Sequence, residues 1–157
     1  MRAGHRRRRG EAGFVAGLDM LVFGVLIMVV GVLVVADAWG VVSAKTAAVD
    51  ASAEAVRAFV RSPSSLVAAD DARRSAVDTL TQEGRDPARA QVGVTGALVR
   101  CHWVTVTVSY RVPLVNLPLV GGFGRSFTVS AHHTALVDPY RNGPAGPAVC
   151  NGLEGGP

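Results

Sequence analysis

The chemistry open to this chain would have to come from two cysteines, four histidines and a few carboxylates. Cys101 and Cys150 stand 49 positions apart. Outside the cytoplasm an isolated pair reads most simply as a disulfide, which the chain-entropy model values at about 4 kcal/mol for a loop of this length. The other reading is two free thiols. His132 and His133 are neighbours on an expected strand, so they point to opposite faces and cannot chelate together. His102 lies on another segment, and the three lack metal-ligand spacing, so they read as polar surface groups and no metal site is expected. Asp70 and Asp71 with Arg73 and Arg74 read as a solvated helix face rather than an acid/base pair. There is no G-x-S-x-G, H-E-x-x-H, P-loop or G-x-G-x-x-G motif, and "GGFG" at 121–124 lies between strands and opens no helix. The expectation is a non-enzyme with no catalytic residues and no cofactor.

Those residues must be positioned by elements whose character is set near the N-terminus. The formal charge is +4, yet Arg2 and Arg6, Arg7, Arg8 and Arg9 carry +5, so residues 10–157 sum to −1. A basic folded surface is missing, which argues against a nucleic-acid partner. After the arginines, Met20 to Ala36 is a charge-free apolar run of 17 residues, extended by Gly17 and Leu18 on one side and by Ala38 to Val42 on the other. A helix of about 17 to 25 residues crosses the hydrocarbon of a bilayer. Trp39 would sit at the outer interface, and the arginine cluster is the topology signal that keeps the N-terminus in the cytoplasm. Ala36-Asp37-Ala38 also fits the small-x-small pattern of a signal-peptidase site, which would release a secreted soluble binding domain after Ala38. Retention is preferred because helical spacing runs past that point: Trp39, Val42, Thr46, Val49, Ala53, Val56 and Val60 form an expected apolar stripe.

This first helix is expected to stop near Arg61, with Ser62 capping a second helix that has Pro63 at its first position. Leu66, Ala69, Arg73, Ala76, Val77 and Leu80 give the second stripe, and Gly84 a C-terminal stop. The period then changes to two. Val104, Val106, Val108, Tyr110 and Val112 alternate with polar residues, as do Phe127, Val129, Ala131, Ala135 and Val137. Val92, Val94 and Leu98 mark a shorter strand. Two helices followed by about three strands without βαβ alternation predict an α+β domain with a small antiparallel sheet. The segments are a basic stub (1–13), a transmembrane helix (14–42), an extracytoplasmic domain (43–138) and a Pro/Gly-rich tail (139–157). The apolar stretch "VPLVNLPLVGGFGRS", broken by Pro113, Pro118 and three glycines, reads either as a loop over the domain's own core or as an exposed docking patch.

Within the membrane helix, Gly17, Gly24, Gly31 and Ala38 recur every seven residues, a face on which another helix can approach closely. Asp19 and Asp37 are 18 residues apart, five helical turns, and so share a different face. A carboxylate well inside a bilayer costs about 2.5–3.5 kcal/mol, which calls for interfacial water or a cationic partner at Asp19. The bland reading is that both aspartates mark the ends of the span.

The order of arginines, "GEAGFVAGLDMLVFGVLIMVVGVLVVADAWG", the Ala-rich "AVDASAEAVRAF" and strands such as "VTVTVSYRVPL" and "FTVSAHHTALVDPYR" resembles the TadE-like proteins of tight-adherence (Flp-type) pilus assembly, particularly actinobacterial forms. The likeness is best over residues 10–61 and looser toward the C-terminus. It implies a minor-pilin or pseudopilin-like component, anchored in the cell membrane, whose partners are the lipid bilayer and other pilus-assembly proteins. The chain departs from that pattern at processing. Prepilin-type sites carry a glutamate five residues after the cleaved glycine, whereas Gly10 is followed at that distance by Val15 and Gly13 by Leu18. Gly13 is the candidate processing site, with Asp19, six residues on, as the substitute acid for pairing with a neighbouring subunit's amine.

Overall fold

The computed structural model describes residues 12–113 and 126–150, with side chains from residue 20 onward. Arg6 to Arg9 and the 114–125 stretch lie outside the described residues, as does the side chain of Asp19, and Gly13 and Gly17 are described only as part of a helix. The elements in chain order are helix α1 (Ala12–Arg61), helix α2 (Ser65–Gln82), a 3-10 turn (Pro87–Arg89), and strands β1 (Ala90–Thr95), β2 (Trp103–Pro113) and β3 (Ser126–Leu136). The chain divides into two compact units, one ending at Ala38 and one beginning at Trp39. The fold class is α+β, as the order of elements predicts.

In the first unit every residue from Met20 to Val32 is exposed. Valine, leucine, isoleucine, methionine and phenylalanine dominate this stretch, and the helix it belongs to is long and apolar enough to cross a membrane.

The second unit has its own core. Its sheet is an antiparallel meander in the order β1-β2-β3. Val92 faces Val108 and Val94 faces Val106 on one side, while Val108 faces Ala131 and Tyr110 faces Val129 on the other. Val104, Val106, Val108, Tyr110 and Val112 are all buried, so the period-two pattern of β2 is the spine of this core. The turn from β1 to β2 requires glycine at position 96. Its φ is +112°, and a Cβ there would come within 2.7 Å of the Trp103 carbonyl oxygen.

The helical stripes differ from those expected. In α1 the buried face is Ala44, Ala47, Ala48, Ala51, Ser52, Ala55, Val56 and Phe59. Of the expected stripe only Val56 is buried; Trp39 (74% exposed) and Val42 (59%) face outward. The true face is rotated because alanines let the helix backbone approach its neighbours, whereas a stripe of larger side chains would hold it away. In α2 the same rule operates at strict four-residue spacing through Ala68, Ala72, Ala76 and Leu80. Leu66, expected inside, is 89% exposed.

Capping also differs. Helix α2 starts at Ser65 with Ser64 as an extended N-cap, rather than with Ser62 as cap and Pro63 as first residue. Ser62 stays with the preceding helix, its N–H donating to the Phe59 carbonyl (3.2 Å) and its hydroxyl to Asp71 Oδ2 (2.6 Å). The C-terminal stop does fall at Gly84. With φ +68° it completes a Schellman closure in which Gly84 N donates to Thr81 O (3.0 Å) and Arg85 N to Leu80 O (2.8 Å). Leu98 is buried but lies beyond β1, which ends at Thr95 before the glycine turn. Phe127, in phase with the buried residues of β3, is 51% exposed.

Candidate functional site

The site in the first unit is the α1 surface itself. Met20 through Val32 offer a closed cylinder of backbone hydrogen bonds covered by apolar side chains, the form a chain must take where no water can satisfy its amides. Gly24 and Gly31 lie in this stretch, and a Cβ built on either would meet nothing within 4 Å. Asp37 is partly buried and Ala38 exposed.

The second unit is held by a staple at one end of its sheet. Cys101 and Cys150 form a disulfide with a Cα–Cα distance of 5.2 Å. Cys101 adopts φ +64°, unusual for a residue with a side chain, and is fixed there by its N–H donating to the Val137 carbonyl at 2.9 Å. Val137 N–H in turn donates to the His102 carbonyl at 3.0 Å. The segment after Asp138 is irregular but docked. Val99 bridges Ala145, and Arg100 N–H donates to the Ala145 carbonyl at 2.8 Å. Gly146, with φ +120°, passes so close to Arg100 that a Cβ would lie 3.0 Å from its backbone.

Arginines extend the staple to the helices. Arg100 Nε donates to the Arg141 carbonyl at 2.9 Å, and the Arg141 guanidinium donates to the Ser62 carbonyl at the end of α1. Ser62 passes the connection to Asp71 on α2. Asp71 therefore does more than decorate a solvated face: it also pairs with Arg74 while holding the hydroxyl that joins the two helices. The Asp70–Arg73 pair at 3.1 Å is exposed on both sides and contributes little.

The histidines separate as their strand positions require. His132 is exposed. His133 lies opposite Val106 on the helix-facing side of the sheet, where its Nδ1 is 2.8 Å from the hydroxyl of fully buried Ser52. The same Ser52 hydroxyl donates to the Val49 carbonyl at 2.8 Å. The serine–histidine contact joins α1 to β3. His133 is not a free surface group, and its place in the apolar series 129, 131, 133, 135 was the signal that it turns inward. Lys45, the sole lysine, makes a second α1–β3 connection by donating to the Ser130 carbonyl. Among the described residues no three His, Cys, Asp or Glu side chains gather as a metal site would require.

The fold and these connections define a class: a small disulfide-stapled α+β domain whose chain enters through a long apolar helix. Comparison with protein-family models, with curated proteins and with solved structures returns no match.

Proposed function

We propose that this chain is a single-pass, membrane-anchored, non-catalytic component of a tight-adherence (Flp-type) pilus assembly, with its N-terminus in the cytoplasm and its stapled domain outside. The observation that carries the reading is the unbroken exposure of large apolar side chains from Met20 to Val32, which in water would be a severe penalty and in lipid is none. The arginines at 6–9 support the orientation by the positive-inside tendency. The cysteine pair supports an oxidising compartment for the domain. The TadE-like resemblance over residues 10–61 supplies the pilus context. In this role the chain works through lateral packing of the glycine-bearing helix face and through docking of the domain on other assembly proteins.

One observation favours a second reading. The division between the two units falls at Ala38 and Trp39, where an Ala-x-Ala cleavage would release the domain as a secreted binding protein. Intact mass of the native protein, together with extraction of host membranes by carbonate, separates the two. Full length or loss of 13 residues in the membrane pellet supports anchoring. Loss of 38 residues with recovery in the soluble fraction overturns it.

A further inference from the structure

The second unit carries an open groove of about 480 Å³ at the end where its chain begins, walled by Val41, Val42, Lys45, Phe127, Val129 and Ser130. This is the end at which β2 leaves the sheet and β3 enters it, since Pro113 pairs with Ser126 and Val112 with Phe127. The opposite end is marked by Trp103 paired with Leu136, roughly 30 Å away at about 3.3 Å per strand residue.

Three features set this end apart. Its large apolar groups are turned out: Phe127 and Val42 are more than half exposed although both flank a well-formed core, and Trp39 is more exposed still. Its wall carries a cation and no acid. Lys45 donates one hydrogen to Ser130 and has two more to give, and Arg111 is exposed on the other face of the same end. Finally, Trp39 and Val42 follow the last residue of the charge-free run, Ala36, by only three and six positions.

We propose that this end of the domain is itself a lipid-binding surface. Phe127, Val42 and Trp39 enter the outer interface of the bilayer, and Lys45 receives the phosphate of an anionic phospholipid whose chain lies against the groove. The proposal rests on the reading that the apolar run Met20–Ala36 spans the membrane, and it extends that reading from the helix to the folded domain. Aromatic rings at the headgroup level and apolar faces buried about 5–10 Å at the acyl boundary are how interfacial elements bind, with lysine stems reaching to the headgroups. Val41 and Val42 on one wall of the groove follow the spanning run closely along the chain, and the charge of Lys45 complements phosphate; these two facts select lipid as the occupant.

The test uses the full chain reconstituted in vesicles of phosphatidylcholine and phosphatidylglycerol with brominated acyl chains, which quench nearby tryptophan. Three single-tryptophan proteins are compared: native Trp103 with Trp39→Phe, and Phe127→Trp or Val30→Trp in a Trp39→Phe, Trp103→Phe background. The expected result is strong quenching for Val30→Trp, loss of about half the emission for Phe127→Trp and no loss for Trp103. Quenching of Phe127→Trp should weaken when phosphatidylglycerol is left out and when Lys45→Gln is added; no change in either case overturns the phosphate contact. If Val30→Trp is quenched and Phe127→Trp is not, the anchor stands and this inference fails. Protection of Phe127→Trp from both lipid bromine and aqueous iodide would mean that a second protein copy fills the groove, which also overturns it. If Val30→Trp itself escapes quenching, the spanning reading fails first.

Discussion

Two stretches of α1 are both rich in apolar residues and are used in opposite ways. Between Met20 and Val35 most side chains are large and turned outward, whereas Ala44, Ala47, Ala48, Ala51 and Ala55 are small and wholly buried. Charge separates them first, since the second stretch, 44–55, carries Lys45, Asp50 and Glu54 and the first carries none. Size separates them too: alanine lets a helix backbone come close to a sheet or a second helix, and a helix coated with valine, leucine and isoleucine presents area that no described residue covers. The first stretch thus calls for an apolar solvent, and the second supplies its own.

The sharpest way to break this comparison is to place charge in the first stretch. Val29→Asp with Val30→Asp should lose about 5–7 kcal/mol of insertion free energy. The protein should then move from the carbonate-resistant membrane pellet into the soluble fraction. An unchanged pellet would mean that the exposed run is not what holds the protein in the membrane.

Next in size is the staple. Cys101→Ser with Cys150→Ser should lower the stability of the domain by about 2–4 kcal/mol, read from urea unfolding of the full chain in detergent. Membrane extraction should stay unchanged. A loss below about 0.5 kcal/mol would show that the Val99–Ala145 bridge and the Arg100 and Arg141 hydrogen bonds hold the segment unaided.

A direct comparison of the two stretches comes from adding bulk to each. Ala51→Leu should cost about 1–3 kcal/mol by overpacking the helix-facing core. Val29→Leu should leave domain unfolding within about 0.5 kcal/mol of the parent. Equal effects would remove the distinction drawn here.

The smallest expected effect is that of Ser52→Ala, which removes the hydrogen-bond partner of His133 Nδ1 and should cost about 1 kcal/mol in the same unfolding measurement. Because His133 is only partly buried, water can meet some of its need, which is why the effect is smaller than that of Ala51→Leu.

Much of the fold was legible in the residues, and the misses have a common cause. The end of α1 at Arg61, the stop at Gly84 and the alternation of β2 are local signals, and each appears in the structure where the residues place it. The buried faces of α1 and α2 depart from the stripes that larger apolar residues mark, because close packing there prefers the smaller alanine side chain. Phe127 is in phase with Val129 and Ala131 and yet is 51% exposed. Phase says which side of the sheet a residue faces, not whether anything covers it there.

What the amino-acid order determined by itself was the long apolar helix, the α+β succession of elements and the presence of just two cysteines. All follow from periodicity, composition and the backbone preferences of a few residues. Only the tertiary structure decided that Ser52 meets His133, that Lys45 reaches the β3 edge, that the segment after Asp138 docks along Val99 to Cys101, and that Phe127 is left uncovered. These depend on groups brought together across as many as 85 positions of sequence, and no local preference carries information over that distance.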